Sequence, residues 1–533
     1  MATSQVISNL VGGSNRGKFP KTCGSELSVN MYRAANGKVP FQESMPGLKM
    51  VRQIGGKCRG VFVTTRGLAD IHSPEDMYVA MGNRLMRVTE DTATKVLTLA
   101  NNGLSVTFAE TGGPRAMLLV CDGSGLFAVD LDTGAWKQVQ LPAAVNGNGE
   151  TIRPTHVSVV SGAIVVNDVE SGYVYYSNPY PLANDTREVF DLQNGQVQYE
   201  ADDITVKKKT VDSFLYAFYD DYGTQQFFLS ESSSDNINGL VSVGQYLYVF
   251  GSKSAEIYSY LGEQYNTWSR VSFTTQTAFG LEAPDSLAVN GNTVTFIASG
   301  QQYGKCVMAA VGTQFTRISE DWLDEKLDSE DTTSCRAFTY AHGGHSFYVL
   351  QLDTLGQTWC YDGEFKEWHQ RCSRSYVSGL EIQWRVRGLG YWHEKFYAFT
   401  GDGGMYLFGP TYWWEDYPQR KKVPVVRHRQ TPAIMSDNRP FIIEEVAIEC
   451  NSGSCPDQMA DPKVLLEVSK DGGETYGNVR TASFGKTGHF SHRVRFHALG
   501  MVRQAVLRVT FSEPMDFVIT DCDIRAGKTG AMI

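Results

Sequence analysis

One local theme recurs along most of the chain and constrains its fold more than any other feature. It is an alternating apolar run, a turn of Gly, Asn or Asp, and a second alternating run. Met77 to Val88 shows it plainly, with Met81-Gly82-Asn83 as the turn. Alternation sends every second side chain to one face, so each run reads as a strand and each pair as a hairpin. The theme returns at Ala116 to Val139, Val157 to Tyr176, Val241 to Tyr260, Ser286 to Ile318, Arg336 to Trp368 and Trp384 to Phe408, about 50 residues apart.

Small antiparallel sheets at that period are what a β-propeller produces, because each blade buries its faces against its neighbours. Six or seven blades fit the span. The repeat lacks a strict signature, and a barrel or a stack of sandwiches is the other architecture it allows. The expected fold is therefore all-β, with a propeller-like body over residues 51–415 that is broken by an insertion at about 182–238. Strand patterns at Val464 to Val468, His492 to Phe496 and Ala505 to Phe511 then predict a C-terminal antiparallel β-sandwich over 441–527. Residues 1–50 read as an N-terminal arm with the first strands, 416–440 as a basic linker and 528–533 as a loose tail. One short helix is expected from Ser319 to Ser329, with Ser319 as its N-cap and Trp322, Leu323 and Leu327 at helical spacing.

Charge narrows the function. There are 58 acidic against 48 basic residues, a net charge of −10, so the surface as a whole is not built to grip a phosphate backbone. No run approaches the roughly 20 apolar residues of a spanning helix, and Met1 to Arg16 has neither the basic start nor the apolar core of a signal peptide. Synthesis and retention in the cytosol follow as the expectation, without membrane insertion. The ten cysteines are sparse and irregular, which favours reduced, buried thiols over a disulfide framework. Cys450 and Cys455 lack the second ligand pair that structural zinc requires.

The sharpest local motif is Ser469-Lys470-Asp471-Gly472-Gly473-Glu474-Thr475-Tyr476, which resembles the Asp-box hairpin of sialidase-type propellers. It occurs once and outside the propeller, so Asp471, Gly472 and Gly473 read as a structural turn in which the carboxylate accepts backbone amides. Gly485-Lys486-Thr487 and Gly527-Lys528-Thr529 lack the earlier glycine of a phosphate loop, and His342 with His345 lies in a Gly-rich turn rather than on a helix. No catalytic, cofactor-binding or metal residue is expected. The basic residues Arg420, Lys421, Lys422, Arg427 and Arg429 read as a subunit contact, and Tyr412-Trp413-Trp414 and Tyr391-Trp392 as packing between blades.

The order Leu27-Ser28-Val29-Asn30-Met31-Tyr32, Met45-Pro46-Gly47-Leu48 and Arg59-Gly60-Val61 resembles the opening of the packaged-DNA stabilisation proteins of short-tailed bacteriophages. The likeness resumes at Leu229-Ser230-Glu231, Asp235-Asn236-Ile237 and Gly239, and is strongest at Tyr248-Val249-Phe250-Gly251-Ser252 with Glu256-Ile257-Tyr258. It continues through the Asp471 hairpin to the strand around Asp523-Ile524-Arg525, while Leu182 to Lys209 is longer than the family pattern. Asn30, Met31, Pro46, Gly47, Arg59, Gly60, Phe250, Gly251, Glu256 and Tyr258 are thus family landmarks, read as structural.

That resemblance implies a structural virion protein without enzymatic activity or cofactor: a tail nozzle that closes the DNA channel, retains the packaged genome and opens for ejection. It further implies a six-fold homo-oligomeric ring below a tail adaptor ring, contacts with tail needle, fibre or spike proteins, and viral DNA that passes with weak binding. The competing expectation is a carbohydrate-binding or glycosidase-type propeller, a tail depolymerase, suggested by the Asp-box-like hairpin and the many Tyr and Trp.

Overall fold

The computed structural model describes residues 3–6, 10–15, 25–65, 75–145, 149–191, 196–201, 206–230, 235–263, 266–271, 279–300, 304–435, 439–456, 459 and 461–528. Glu231 and the tail 529–533 lie outside the described residues. The chain divides into two compact units, one of Gln53–Ile318 with Val386–Gly404, the other of Met1–Arg52, Ser319–Arg385 and Met405–Ile533.

The Gln53–Ile318 unit is a succession of antiparallel meanders. The first four run Cys58–Val63 to Ala93–Thr98, Thr107–Glu110 to Trp136–Val139, Val157–Val160 to Phe227–Leu229, and Ile237–Val243 to Asn266–Arg270, each of four strands. A fifth runs from Phe279–Leu281 to Gln314–Arg317, and the hairpin Val386–Trp392 with Lys395–Thr400 completes the unit. Inner strands such as Met77–Met81, Met117–Cys121 and Ala163–Asn167 are buried at every position. The cause lies in how the meanders stack. Tyr78, Ala80 and Leu85 pack on Leu118 and Val120, whereas Met117, Leu119 and Cys121 pack on Ile164 and Val166. The two faces of the second meander therefore feed two different cores, and the same exchange continues through Val165 against Leu247 and through Phe250 against Phe296. Each fully buried Val, Leu or Phe contributes roughly 1.5–3 kcal/mol, so this stacking is what stabilises sheets that are too small to stand alone.

The insertion is confined between the third and fourth strands of the third meander, Tyr173–Pro179 and Phe227–Leu229. It carries two small hairpins, Thr186–Glu188 with Thr210–Asp212 and Tyr199–Ala201 with Val206–Lys208. The expected boundary near residue 238 falls inside the strand Ile237–Val243, because the run around it returns to pair with Tyr246–Gly251.

The second unit holds a further meander, Arg336–His342, His345–Leu352, Gln357–Asp362 and Glu367–Arg374. Its last strand continues into a larger sheet through Leu27–Val29, Arg427–Gln430, Gln504–Phe511, Lys463–Ser469 and Arg480–Ser483. The facing sheet is Met31–Asn36, Val39–Ser44, Ile519–Lys528, Phe441–Cys450 and Val494–Val502, with Thr3–Val6 paired to Ile519–Lys528. Between them lies an apolar core that includes Leu10, Met31, Ile443, Val464, Leu507, Phe511 and Phe517. The N-terminal strands are thus part of this sandwich rather than a separate arm. Likewise, the segment expected as a linker contributes Arg427–Gln430 and Ile434–Met435 to the sandwich, both paired to Gln504–Phe511, while its Lys422–Pro424 pairs with Trp414–Asp416 in another sheet.

The helix is Asp321–Asp328, with Trp322, Leu323 and Leu327 buried and Trp322 against Trp359 at 4.7 Å between ring centroids. Glu320 rather than Ser319 stands at its N-cap, without a side-chain capping bond.

Candidate functional site

The landmark residues sit at joints between segments that are distant in sequence. Asn30 adopts a left-handed backbone, φ 52°, which Asn tolerates better than most residues. Its Nδ2 donates to the carbonyls of Cys372 at 3.0 Å and Val426 at 2.8 Å, and its Oδ1 accepts from the Cys372 N–H at 3.0 Å. Met31 beside it is fully buried in the sandwich core. Gly47 lies so close to Trp414 that a Cβ would stand 2.0 Å from its carbonyl oxygen, and Pro46 lines a neighbouring cavity.

In the other unit, Arg59 donates to the carbonyls of Leu104, Gly82 and Ala100 and to Asn102 Oδ1, at 2.5 to 2.9 Å. It thereby fixes the connection from the first meander to the second, where Gly60 admits the Val106 carbonyl, 2.5 Å from where a Cβ would be. Glu256 accepts from Ser230 Oγ and Tyr258 Oη, each at 2.5 Å, and pairs with Arg270 at 3.3 Å. Burial, then the adjoining carboxylate, raises the Tyr258 hydroxyl, which stays a donor. The Phe250 ring meets Phe296 at 4.5 Å between centroids, tilted by 51°, and Gly251 leaves room for the Asp235 carboxylate.

The five basic residues separate into two groups. Arg427 and Arg429 are completely buried in the sandwich. Arg429 donates to the Leu10 and Gly13 carbonyls at 3.1 and 2.6 Å and pairs with Glu26. Arg427 donates to the Glu513 and Met515 carbonyls at 3.2 and 2.8 Å, with its guanidinium 4.9 Å from the Trp413 ring. Burial pushes it down to about 9, against the opposing charge of Asp516. Neither is at the surface for a neighbouring subunit, which corrects the expectation for these two. The physical reason is their spacing: two apart in a strand, they share the face turned into the protein. Arg420, Lys421 and Lys422 are exposed.

Asp471 is occupied by its own turn. It accepts from Ser469 Oγ at 2.6 Å, Thr475 N at 2.9 Å and Thr475 Oγ1 at 2.5 Å, and these bonds hold it well below the usual carboxylate range. Gly472 and Gly473 take φ of 86° and 100°, and Arg508 stacks 3.7 Å from the Tyr476 ring.

Each unit holds a cavity. One of about 470 Å³ is lined by the first strands of the first four meanders and by the strand Ala288–Asn290, with Val61, Phe108, Val157, Val159, Leu240 and Val289 among its walls. Its buried His156 bonds Thr155 Oγ1 at 2.9 Å and is lowered by burial, against Asp285. The other, about 160 Å³, is lined by Tyr32, Glu43, His342, Tyr340, Trp413 and Asp516 among others. Burial raises both Glu43 and Asp516 and lowers His342. Sequence reading missed the buried polar cluster nearby, where His345 Nδ1 meets Asp362 Oδ2 at 2.7 Å and Arg371 lies 5.0 to 5.2 Å from the Tyr340, Phe347 and Trp384 rings. The signal was alternation: His369 and Arg371 share one face of Glu367–Arg374. Among the described residues, no group of three or more His, Cys, Asp or Glu is placed to hold a metal ion.

Stacked meanders and a sandwich, with their landmark polar groups engaged at joints, define a structural all-β protein of the propeller-plus-sandwich class. Residues 24–402 match the family model for the bacteriophage P22 Gp10 β-propeller, and residues 427–527 that for the bacteriophage P22 Gp10 β-sandwich. The chain belongs to this phage tail family. No curated protein matches it.

Among solved structures, the extracellular domain of BT4673 from B. thetaiotaomicron is 7% identical with a TM-score of 0.37, over 72% of this chain and 45% of that one. The chain thus spans less than half of that domain's length. YCF48 from Cyanidioschyzon merolae is 10% identical with a TM-score of 0.34, over 68% and 99%. BamB from Moraxella catarrhalis is 13% identical with a TM-score of 0.29, over 67% and 97%. These similarities are too low to bear on function.

Proposed function

We propose that the chain is a non-enzymatic tail nozzle, which closes the DNA channel of the virion, retains the packaged genome and opens for ejection. The observation that carries this is the family match in both parts of the chain, in order, with the landmark residues committed to joints rather than to a reactive centre. Function then comes from assembly. One contact repeated around a closed six-fold ring makes a channel without any single protomer needing a pocket. The ring sits below an adaptor ring and meets needle, fibre or spike proteins.

The net charge of −10 supports weak DNA contact. Each neutralised phosphate would add affinity and slow passage. Virions assembled without this chain should lose nuclease protection of their DNA after packaging. Full protection without it would contradict the reading, as would nanomolar, salt-sensitive gel shifts with the purified protein.

A further inference from the structure

The strand Glu367–Arg374 turns back at Ser375 and returns as Glu381–Gln383. The turn is tightly built. Ser375 N donates to the Leu380 carbonyl and Gly379 N to the Ser375 carbonyl, both at 2.9 Å, and Arg374 Nε donates to the Gly379 carbonyl at 2.6 Å. The Ser375 and Ser378 hydroxyls accept further amides of the turn. A turn fixed this firmly nevertheless points apolar side chains outward: Val377 is 78% exposed, Leu380 68%, Tyr376 40% and Ile382 38%.

Beside it lies the exposed basic turn. Tyr417 joins the two, since its ring meets Tyr376 at 4.9 Å and its hydroxyl donates to the Arg374 carbonyl at 2.6 Å. Tyr417 N donates to the Lys421 carbonyl, and Arg420 N to the Tyr417 carbonyl. Arg420, Lys421 and Lys422 form no ion pair among the described residues. Glu381 does not neutralise them, because it faces Arg374, Arg508 and His428.

A preorganised apolar knob rimmed by three unpaired cations has the composition of an interface: rigid aromatic and aliphatic anchors with a charged rim that steers association. We infer that it is one half of a heterologous contact with a second copy of this chain, docking on an acidic surface of that copy. Charge complementarity argues for that occupant: the chain as a whole carries ten more acidic than basic residues, 58 against 48. The two halves of such a contact are different surfaces, as closing a ring requires. The inference rests on the ring reading above and names its contact.

The test compares full-length wild type with V377D/L380D and with K421E/K422E by sedimentation and by unfolding midpoint. Each variant should raise the concentration for half-assembly about tenfold or more with an unchanged midpoint, and added salt should weaken wild-type assembly more than that of K421E/K422E. Rings that persist unchanged in both variants would overturn this contact while leaving the ring itself intact. A wild type that stays monomeric even with its adaptor would contradict contact and ring together. DNA retardation by wild type that K421E/K422E abolishes, with assembly unaffected, would assign the patch to DNA and overturn the inference.

Discussion

Asn30 and Cys372 exchange two hydrogen bonds, the Asn30 amide donating to the Cys372 carbonyl and the Cys372 N–H donating to the Asn30 side-chain oxygen, each at 3.0 Å. A side chain here does what a neighbouring strand would do, holding a backbone segment more than 300 positions away. Asn30→Ala removes both partners and leaves a buried N–H and carbonyl unsatisfied. It should cost roughly 2–4 kcal/mol, read as a lowered denaturation midpoint. A loss below about 0.5 kcal/mol would show that the bridge is incidental.

Gly47 tests close approach rather than hydrogen bonding. Gly47→Ala drives a methyl group into the Trp414 carbonyl and should destabilise by roughly 1–3 kcal/mol or prevent folding. Gly409→Ala, with nothing within 4 Å of the added carbon, should change the midpoint little.

Buried and exposed cations should differ sharply. Arg429→Ala strips Glu26 of its partner and two carbonyls of their donor, and should cost roughly 3–5 kcal/mol. Lys421→Ala should stay within about 0.5 kcal/mol of wild type in the unassembled protein. Equal effects in denaturation would mean that the two groups share one environment.

His345 supplies a pH signature. Burial opposes its charge, but the hydrogen bond and charge of Asp362 outweigh burial and hold it above the ordinary 6.5. A raised folded-state value means that the stabilisation is fully present below about pH 6.5 and is lost as pH rises through the folded value. His342 and His369, both lowered by burial, act in the opposite sense on acidification. The comparison must therefore be wild type against His345→Gln. Their difference in melting temperature should shrink from pH 6 towards pH 8 and above, and a difference that grows with pH would contradict the assignment.

Much of the fold was legible because alternation and Gly or Asn turns are local signals. Met81-Gly82-Asn83 forms its hairpin wherever the two strands later pack. The sandwich was legible only in its C-terminal strands. Its N-terminal contributions depend on pairings such as Leu27 with Gln430 and Val6 with Asp523, which no local pattern encodes. The same limit misplaced Arg427 and Arg429. Basic residues read as solvated until a strand pairs on each side and carbonyls such as Leu10 and Met515 are found waiting for them. The bonds of the Asp471 carboxylate are local, since Ser469 and Thr475 lie within four residues of it, whereas the Arg508 guanidinium on Tyr476 comes from a distant strand.

Electron microscopy of the purified protein mixed with its adaptor ring tests the central claim most directly. Six-fold rings seated on the adaptor around an axial channel are the predicted result. A protein that remains monomeric and ignores the adaptor would contradict it.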